Sequence, residues 1–135
     1  MAGKNFKLDI VTPSKTAFSG EVQSFSAPGV AGGFQVLFNH APLLSSITVG
    51  QVKIVDRGGS ESRYATSGGF VEVNDNQVIL LAETAERSDE IDVQRAEKAK
   101  ERAVERLQQK ERIDEERARV ALARALNRLK IAGSN

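Results

Sequence analysis

The chain contains no cysteine and no tryptophan, and His40 is its only histidine. The lack of cysteine excludes a disulfide framework, a thiolate metal site and a cysteine nucleophile. A lone histidine excludes a histidine dyad or a histidine-based metal centre, and His40 in "NHAP" is interpreted as a loop or contact residue. The common phosphate-loop, zinc-protease and serine-hydrolase motifs are also missing. We therefore predict a protein with no catalytic residue, no metal site and no required cofactor.

Long apolar runs are missing too. No stretch approaches the roughly 20 apolar residues that a membrane-spanning helix needs. The N-terminal "MAGKNFKLDIV" lacks the apolar core of a signal peptide. The net charge is +1, which argues against a nucleic-acid partner bound through overall charge.

Glycine and proline are nearly absent from the last 50 residues, where only Gly133 remains. The same 50 residues carry 24 charged side chains, against 13 in the first 85. This shift in composition predicts two domains, residues 1–86 and 87–135, with the boundary near Glu86–Asp92.

In the first domain, short runs rich in Val, Ile, Phe and Thr alternate with turn-forming residues, which is typical of a sandwich or barrel. We predict an α+β protein whose N-terminal domain is a ten-stranded β-sandwich. The apolar run "VILLA" indicates a central strand. Seven strands can be located, namely "FKLDIV", "GEVQSFSAP", "FQVLF", "QVKIVD", "SRYATSG", "GFVEV" and "QVILLAE".

The second domain has the composition of exposed helix, rich in Ala, Glu, Arg and Lys. Alanines recur at spacings of three and four in two segments, which predicts an antiparallel two-helix hairpin with an alanine seam. The hairpin turns near Gln109–Arg112, Asp114 caps the second helix, and Gly133 ends it. Asp92 is a favourable cap for the first helix. The seam alanines are Ala96, Ala99, Ala103, Ala118, Ala121 and Ala125.

Three motifs, in order, define a resemblance. They are "PGVAGGFQVLFNHAPLL" (28–44), "SGGFVEV" (67–73) and "LLAETAERSDEIDVQRA" (80–96). Together they resemble the epsilon subunit of bacterial F-type ATP synthase, over nearly the whole chain. The resemblance implies a β-sandwich followed by two helices, in agreement with the interpretation of the residues.

The resemblance also implies a function. The chain would be a non-catalytic subunit of the central stalk, peripheral on the cytoplasmic face of the bacterial membrane, with the sandwich bound to the gamma subunit and the c-ring. The helical hairpin would inhibit ATP hydrolysis when it extends into the alpha/beta head. The implied rotor contact is the segment between Gly29 and Pro42, with Gly33, Phe38, His40 and Pro42; the implied contact with the head uses Arg117, Arg119, Arg124 and Arg128.

The resemblance further implies a regulatory ATP site, because "IDVQRA" matches the motif I/L-D-x-x-R-A that some bacterial members use to bind ATP on the folded hairpin. Antiparallel pairing of the helices would place Arg95 opposite Arg128, so that several guanidinium groups converge beside small alanines and could hold a triphosphate. The residues assigned to this site are Glu86, Ile91, Asp92, Arg95, Ala96, Arg102, Arg124 and Arg128.

Other interpretations of the second domain stay open. The charges could form a solvated face on which Glu97, Glu101 and Glu105 neutralise arginines through i,i+4 pairs. The whole chain could be an adaptor that presents a basic hairpin to an acidic protein, and co-purification with the ATP synthase subunits would separate this from the rotor. A nucleic-acid site at residues 117–130 is disfavoured because the interleaved aromatics are missing.

Overall fold

The structure is a computed structural model that describes residues 4–108 and 115–133. Within these residues, nine strands precede a single 3-10 turn and two helices. The strands are β1 Phe6–Val11, β2 Thr16–Gly29, β3 Gly32–Val36, β4 Leu43–Ile47, β5 Gly50–Asp56, β6 Glu61–Thr66, β7 Gly69–Asn74, β8 Gln77–Ala82 and β9 Ala85–Arg87. The 3-10 turn is Ser88–Glu90, and the helices are α1 Val93–Gln108 and α2 Glu115–Ala132.

The strands form where apolar residues alternate with polar ones, because successive side chains of a strand point to opposite faces. In β1, for example, Phe6, Leu8 and Ile10 are buried while Lys7 is exposed. The same alternation along the other strands builds one continuous core. Its fully buried side chains include Val22, Phe25, Val36, Val52, Ile54, Val71, Val73, Val78 and Leu80.

Strand β2 belongs to both layers of the β-sandwich. Its first half pairs antiparallel with β1, from Thr16 to Val22, and its second half pairs with β3 and β5. The order of paired strands is β1-β8-β7-β4-β2-β5-β6-β9, with β3 on the other side of β2. The β1–β8 pair is parallel. One long strand therefore connects the layers that the short strands build.

The prediction of ten strands is wrong by one, since nine are found in the described residues. β2 runs for 14 residues and continues through Gly20, where the sequence pattern starts a new strand. Two short strands were also missed in the sequence, β4 and β9. β9 is the tripeptide "AER", which contains no β-branched or aromatic residue.

The chain divides into two compact units, Met1–Arg87 and Ser88–Asn135. In the second unit α1 and α2 pack against each other, and α2 also contacts the 3-10 turn that precedes α1. The latter contact is expected for antiparallel helices, because the end of one then lies beside the start of the other. The predicted turn at Gln109–Arg112 and the cap at Asp114 lie outside the described residues.

Alanines form the contact between the helices. The buried residues of α1 are Ala96 and Ala103, and α2 buries Ala118 and Ala125 with Ile131. The other predicted seam residues, Ala99 and Ala121, are half-buried. Gly133 follows the end of α2, and its N–H donates to the carbonyl of Leu129 at 3.1 Å, as predicted for a C-terminal glycine.

Candidate functional site

Asp92 caps helix α1, as the sequence predicted. Its carboxylate Oδ1 accepts a hydrogen bond from the backbone N–H of Arg95 at 3.0 Å, and its carbonyl accepts from the N–H of Ala96 at 3.0 Å. The first bond satisfies one of the donors that a helix leaves unpaired at its N-terminus, and the second is the first bond of the helix. Ile91, just before the cap, is buried.

The side chain of Arg95 is exposed in the first turn of α1, and that turn contains no acidic residue. A cation at this end of a helix is disfavoured by the helix dipole. The Asp92 carboxylate already places one negative charge at the start of α1, and the Arg95 guanidinium beside it is the group that could bind a further anion.

Four arginines share a common relation to the seam. Each buried alanine of the seam directly follows an arginine in the sequence, in the dipeptides at 95–96, 102–103, 117–118 and 124–125. The spacing of seven within each helix repeats the same side of the helix after two turns. Two antiparallel helices that meet through equivalent positions place equivalent neighbours on one flank. We call this flank, formed by Arg95, Arg102, Arg117 and Arg124, the arginine flank.

Arg128 follows Arg124 by one turn, so it also belongs to this side of α2. Arg124 and Arg128 are half-buried, whereas Arg95 and Arg102 are exposed. Seven of the eight residues predicted for the ATP site thus lie in the helical unit. Glu86 is the exception, because it lies in β9 of the first unit, opposite Ala65.

Arg119 points away from the arginine flank, since its position is two residues beyond Arg117 and therefore on another side of the helix. Its guanidinium is 2.6 Å from the carboxylate of Glu115 in an i,i+4 ion pair. The four arginines predicted to contact the head therefore divide into three on one side and one on the other.

The alternative of a neutralised charged face meets a difficulty of spacing. Glu97, Glu101 and Glu105 are spaced four residues apart. The i,i+4 neighbour of Glu97 is therefore Glu101, and that of Glu101 is Glu105, so neither has an arginine at that position. Across the part of the chain that the structure describes, no ion pair within 4 Å joins Glu97, Glu101 or Glu105 to an arginine. The arginine flank is therefore not neutralised in this way.

The predicted rotor-contact residues fall on one strand and one loop. Gly33 is exposed in β3, whereas Phe38, His40 and Pro42 belong to the loop before β4. This loop contains a tight turn in which the N–H of His40 donates to the carbonyl of Leu37 at 3.1 Å, with Asn39 at a φ of 63°.

Hydrogen bonds from Asn76, in the turn between β7 and β8, hold this loop in place. Oδ1 of Asn76 accepts from the N–H of Asn39 at 2.7 Å, and Nδ2 of Asn76 donates to Oδ1 of Asn39 at 3.0 Å. Two reciprocal bonds fix the turn and present Phe38 to the solvent, at 38% exposure.

The sandwich also has an exposed apolar surface that was not predicted from the sequence. Leu44 of β4, Phe70 of β7, and Ile79 and Leu81 of β8 are 39–73% exposed. The strands are neighbours in the order β8-β7-β4. Phe70 is directly opposite Leu81, whereas Leu44 and Ile79 lie on either side of the exposed Glu72. We call these four residues the apolar face. Clustered exposed apolar side chains mark interaction sites.

The sequence of strand β8 contains a feature that indicates the apolar face. The run "VILLA" was correctly placed in a strand with neighbours on both sides, but an entirely apolar strand need not be buried on both faces. In β8 the alternate residues Val78 and Leu80 are buried while Ile79 and Leu81 are exposed. An apolar residue at the outward positions of a strand is thus the feature that indicates a contact.

The fold and the site define a class of protein: a β-sandwich with an exposed apolar face, joined to an alanine-seamed helix pair with an arginine flank. None of the helices in the described segments is long and apolar enough to cross a membrane.

Comparison with known proteins identifies the family. Residues 5–88 match the "ATP synthase, Delta/Epsilon chain, beta-sandwich domain", and residues 89–133 match the "ATP synthase, Delta/Epsilon chain, long alpha-helix domain". The chain belongs to the ATP synthase delta/epsilon family. It is accordingly a non-catalytic subunit of the central stalk of an F-type ATP synthase.

Individual relatives agree. The chain is 51% identical to the ATP synthase epsilon chain of Desulfosudis oleivorans over 131 residues, which cover 97% of this chain and 98% of that one. It is 48% identical to the epsilon chain of Desulforamulus reducens over 107 residues, 79% and 80% of the two chains. A chain of the Euglena gracilis mitochondrial ATP synthase has the same fold, with a TM-score of 0.79 and 23% identity over 91% of this chain and 78% of that one.

The hydrogen bond of the Asp92 cap can be tested separately from the charge of its carboxylate. Asp92→Ala removes the acceptor of the Arg95 N–H and should destabilise the start of α1 by about 1 kcal/mol. The exchange of the Arg95 amide with deuterated water should then accelerate about fivefold. Asp92→Asn is the control, because asparagine caps as well as aspartate and should leave the exchange rate unchanged. Equal rates in all three proteins would contradict the cap.

Proposed function

We propose that this subunit anchors to the rotor through the sandwich and inhibits ATP hydrolysis through the helix pair, with ATP as a regulatory ligand of the arginine flank. The sandwich would bind the gamma subunit and the c-ring, and the helix pair would reach the alpha/beta head. The protein would thereby be peripheral on the cytoplasmic face of the bacterial membrane. The observation that supports the proposal most is the separation of an apolar face from an arginine flank on different units of one chain.

The apolar face is proposed as the contact with gamma. Four large apolar side chains on adjacent strands are exposed, and their transfer out of water would contribute about 25 cal/mol per Å² of buried apolar area. The β-sheet beneath holds them in fixed register. The loop that carries Phe38 and His40 is proposed as the contact with the c-ring, because its turn is fixed by Asn76 and its tip is exposed.

The contact with gamma can be tested with one added charge. Phe70→Glu in the full chain should weaken binding to a gamma/c-ring assembly at least tenfold, since it replaces an apolar contact with a second carboxylate beside Glu72, and both would be desolvated. Gln51→Glu is the matched control, because it adds the same charge at an exposed position of β5 outside the apolar face. Binding should be measured by surface plasmon resonance, with the melting temperature as a check on folding.

The truncated chain 1–87 should also fold and retain this binding, because it contains every strand of the sandwich. The idea fails if Phe70→Glu binds like Gln51→Glu, or if folded 1–87 does not bind.

ATP is proposed as the ligand of the arginine flank. Guanidinium groups bind phosphate oxygens through two hydrogen bonds each, and small alanines beside them leave room for a ligand. Arg95 would contact phosphate, whereas Asp92, being anionic, would hold the start of α1 or accept from the base or ribose. The seam gives the helix pair little stability, because each buried methyl contributes only about 0.8 kcal/mol. A ligand specific for the folded pair would stabilise it by about 2.7 kcal/mol at 100 times its dissociation constant.

Two arginine variants test the ATP site. Arg95→Ala should weaken ATP binding at least tenfold, because a charged hydrogen bond to phosphate contributes about 1.5–3 kcal/mol. Arg119→Ala removes the same charge from another side of the helix pair, so its affinity should stay within about twofold. Titration calorimetry of the full chain measures both. No heat of binding at millimolar ATP, or an Arg95→Ala affinity equal to that of the parent, would leave Asp92 and Arg95 with the role of a helix start alone.

Inhibition of the head is proposed to depend on the positive charge of α2. Glu115 and Glu116 are the last acidic residues of the chain, and four arginines follow them. Exposed charge contacts of this kind are long-range at low salt and are screened within about 8–10 Å at ordinary ionic strength.

Replacement of Arg117, Arg119, Arg124 and Arg128 with Ala should therefore relieve inhibition of ATP hydrolysis by the assembled complex. The relief should resemble that obtained when the parent complex is assayed in high salt. Replacement of Lys98 and Lys100 with Ala on α1 serves as a control for loss of charge elsewhere on the helix pair. Unchanged hydrolysis in the four-arginine variant would count against a charge-dependent contact.

A further inference from the structure

Strand β9 is the last strand in the order of the sheet. Its three residues, Ala85–Arg87, pair antiparallel with Tyr64–Thr66 of β6. In the described residues, β6 is the strand that pairs with it, so a loss of β9 would leave the other strand pairs intact. An edge strand of three residues is also shorter than the usual five or six.

The composition of β9 favours weak attachment. Alanine and glutamate are depleted in strands, and arginine is neither β-branched nor aromatic. Ala85 is buried, whereas Glu86 is half-buried and Arg87 is exposed. By contrast, β8 pairs on both sides and buries Val78, Leu80 and Ala82. The number of paired strands thus falls from two at β8 to one at β9 within a few residues.

A fixed corner separates β8 from β9. The N–H of Glu83 donates to the carbonyl of Gly68 at 3.0 Å, and the Thr84 hydroxyl donates to the Ser67 hydroxyl at 2.8 Å. Gly69 has a φ of 152°, and a Cβ there would overlap the carbonyl oxygen of Leu81. The backbone of "SGG" therefore packs directly against the end of β8, and this corner does not depend on β9.

We propose that β9 is a releasable strand that sets the reach of the helix pair. With β9 paired, five residues, 88–92, connect the sandwich to α1; with β9 released and the corner intact, eight residues, 85–92, connect them. Three more extended residues add about 10 Å of reach. This inference rests on the proposed inhibitory function, because a helix pair that enters the head needs a connection long enough to reach it.

A disulfide across the β9–β6 ladder tests this directly. Thr66 and Ala85 are register partners and both are buried. Partners in an antiparallel ladder have Cα atoms about 4.5–5.5 Å apart, which fits a disulfide. The chain has no cysteine, so the double variant T66C/A85C can form one bridge within it. The variant should be assembled into the complete ATP synthase and assayed for ATP hydrolysis after oxidation and after reduction.

We expect oxidation to abolish inhibition by this subunit, so that hydrolysis rises to the rate of a complex that contains the chain truncated at Arg87. Reduction should restore inhibition. The matched control is K53C/R63C, which bridges register partners of the neighbouring β5–β6 ladder and should inhibit equally in both redox states. Equal inhibition by oxidised and reduced T66C/A85C would place the hinge within residues 88–92 and overturn the proposal.

A failure of the inhibitory function itself is distinguishable, because the parent complex would then show no inhibition in any redox state. In that case the rate of amide hydrogen exchange in the full chain tests whether β9 is released from β6. The amides of residues 85–87 that bond to β6 should exchange at least tenfold faster than those of the β5–β6 ladder, while β8 stays protected. Equal protection of the two ladders would overturn the release.

Discussion

The contact between the helices through alanine methyl groups determines most of what the second unit can do. Four buried alanines allow the helix backbones to approach closely, but they bury little apolar area. Helices of 16 and 18 residues in a protein take most of their stability from such packing. Because folded units are marginally stable, small contributions of free energy from a ligand or a new protein surface would be large relative to the stability of the pair. A leucine seam would remove this sensitivity.

The same seam organises the charges. Because an arginine precedes each buried alanine, the geometry that brings the methyl groups together also gathers the guanidinium groups on one flank. The flank and the fold of the pair are thus coupled: separation of the helices disperses the arginines. An anion that bridges the helices would favour the closed pair, while an acidic protein surface could engage α2 alone. The proposed regulation and the proposed inhibition share Arg124 and Arg128, so they are alternative uses of these two side chains.

The sandwich supplies the opposite property, which is rigidity. Its core is continuous, β2 ties the two layers together, and reciprocal hydrogen bonds between Asn39 and Asn76 hold the loop that carries Phe38. An apolar face on such a sheet needs no ordering when it binds, so little conformational entropy opposes association. A rigid sandwich and a separate helix pair in one chain suit the proposed role of a subunit that stays on the rotor while it adjusts the activity of the complex.

The sequence by itself determined the features that depend on neighbouring residues. The alternation in "FKLDIV", the cap of Asp92, the final Gly133 and the three-and-four spacing of alanines that forms the seam are all local, and each was predicted from neighbouring residues. The family also followed from contiguous motifs.

Only the tertiary structure decided which outward residues form a surface. Phe70 and Leu81 meet because β7 and β8 pair in one register, and Asn39 bonds to Asn76, which is 37 residues away in the sequence. The tertiary structure also decided that residues 85–87 form strand β9. Their composition is not typical of a strand, and they pair with β6 because the corner at Gly68 places them beside it. Contacts of this kind depend on how distant segments close upon one another, and no short window of sequence contains that information.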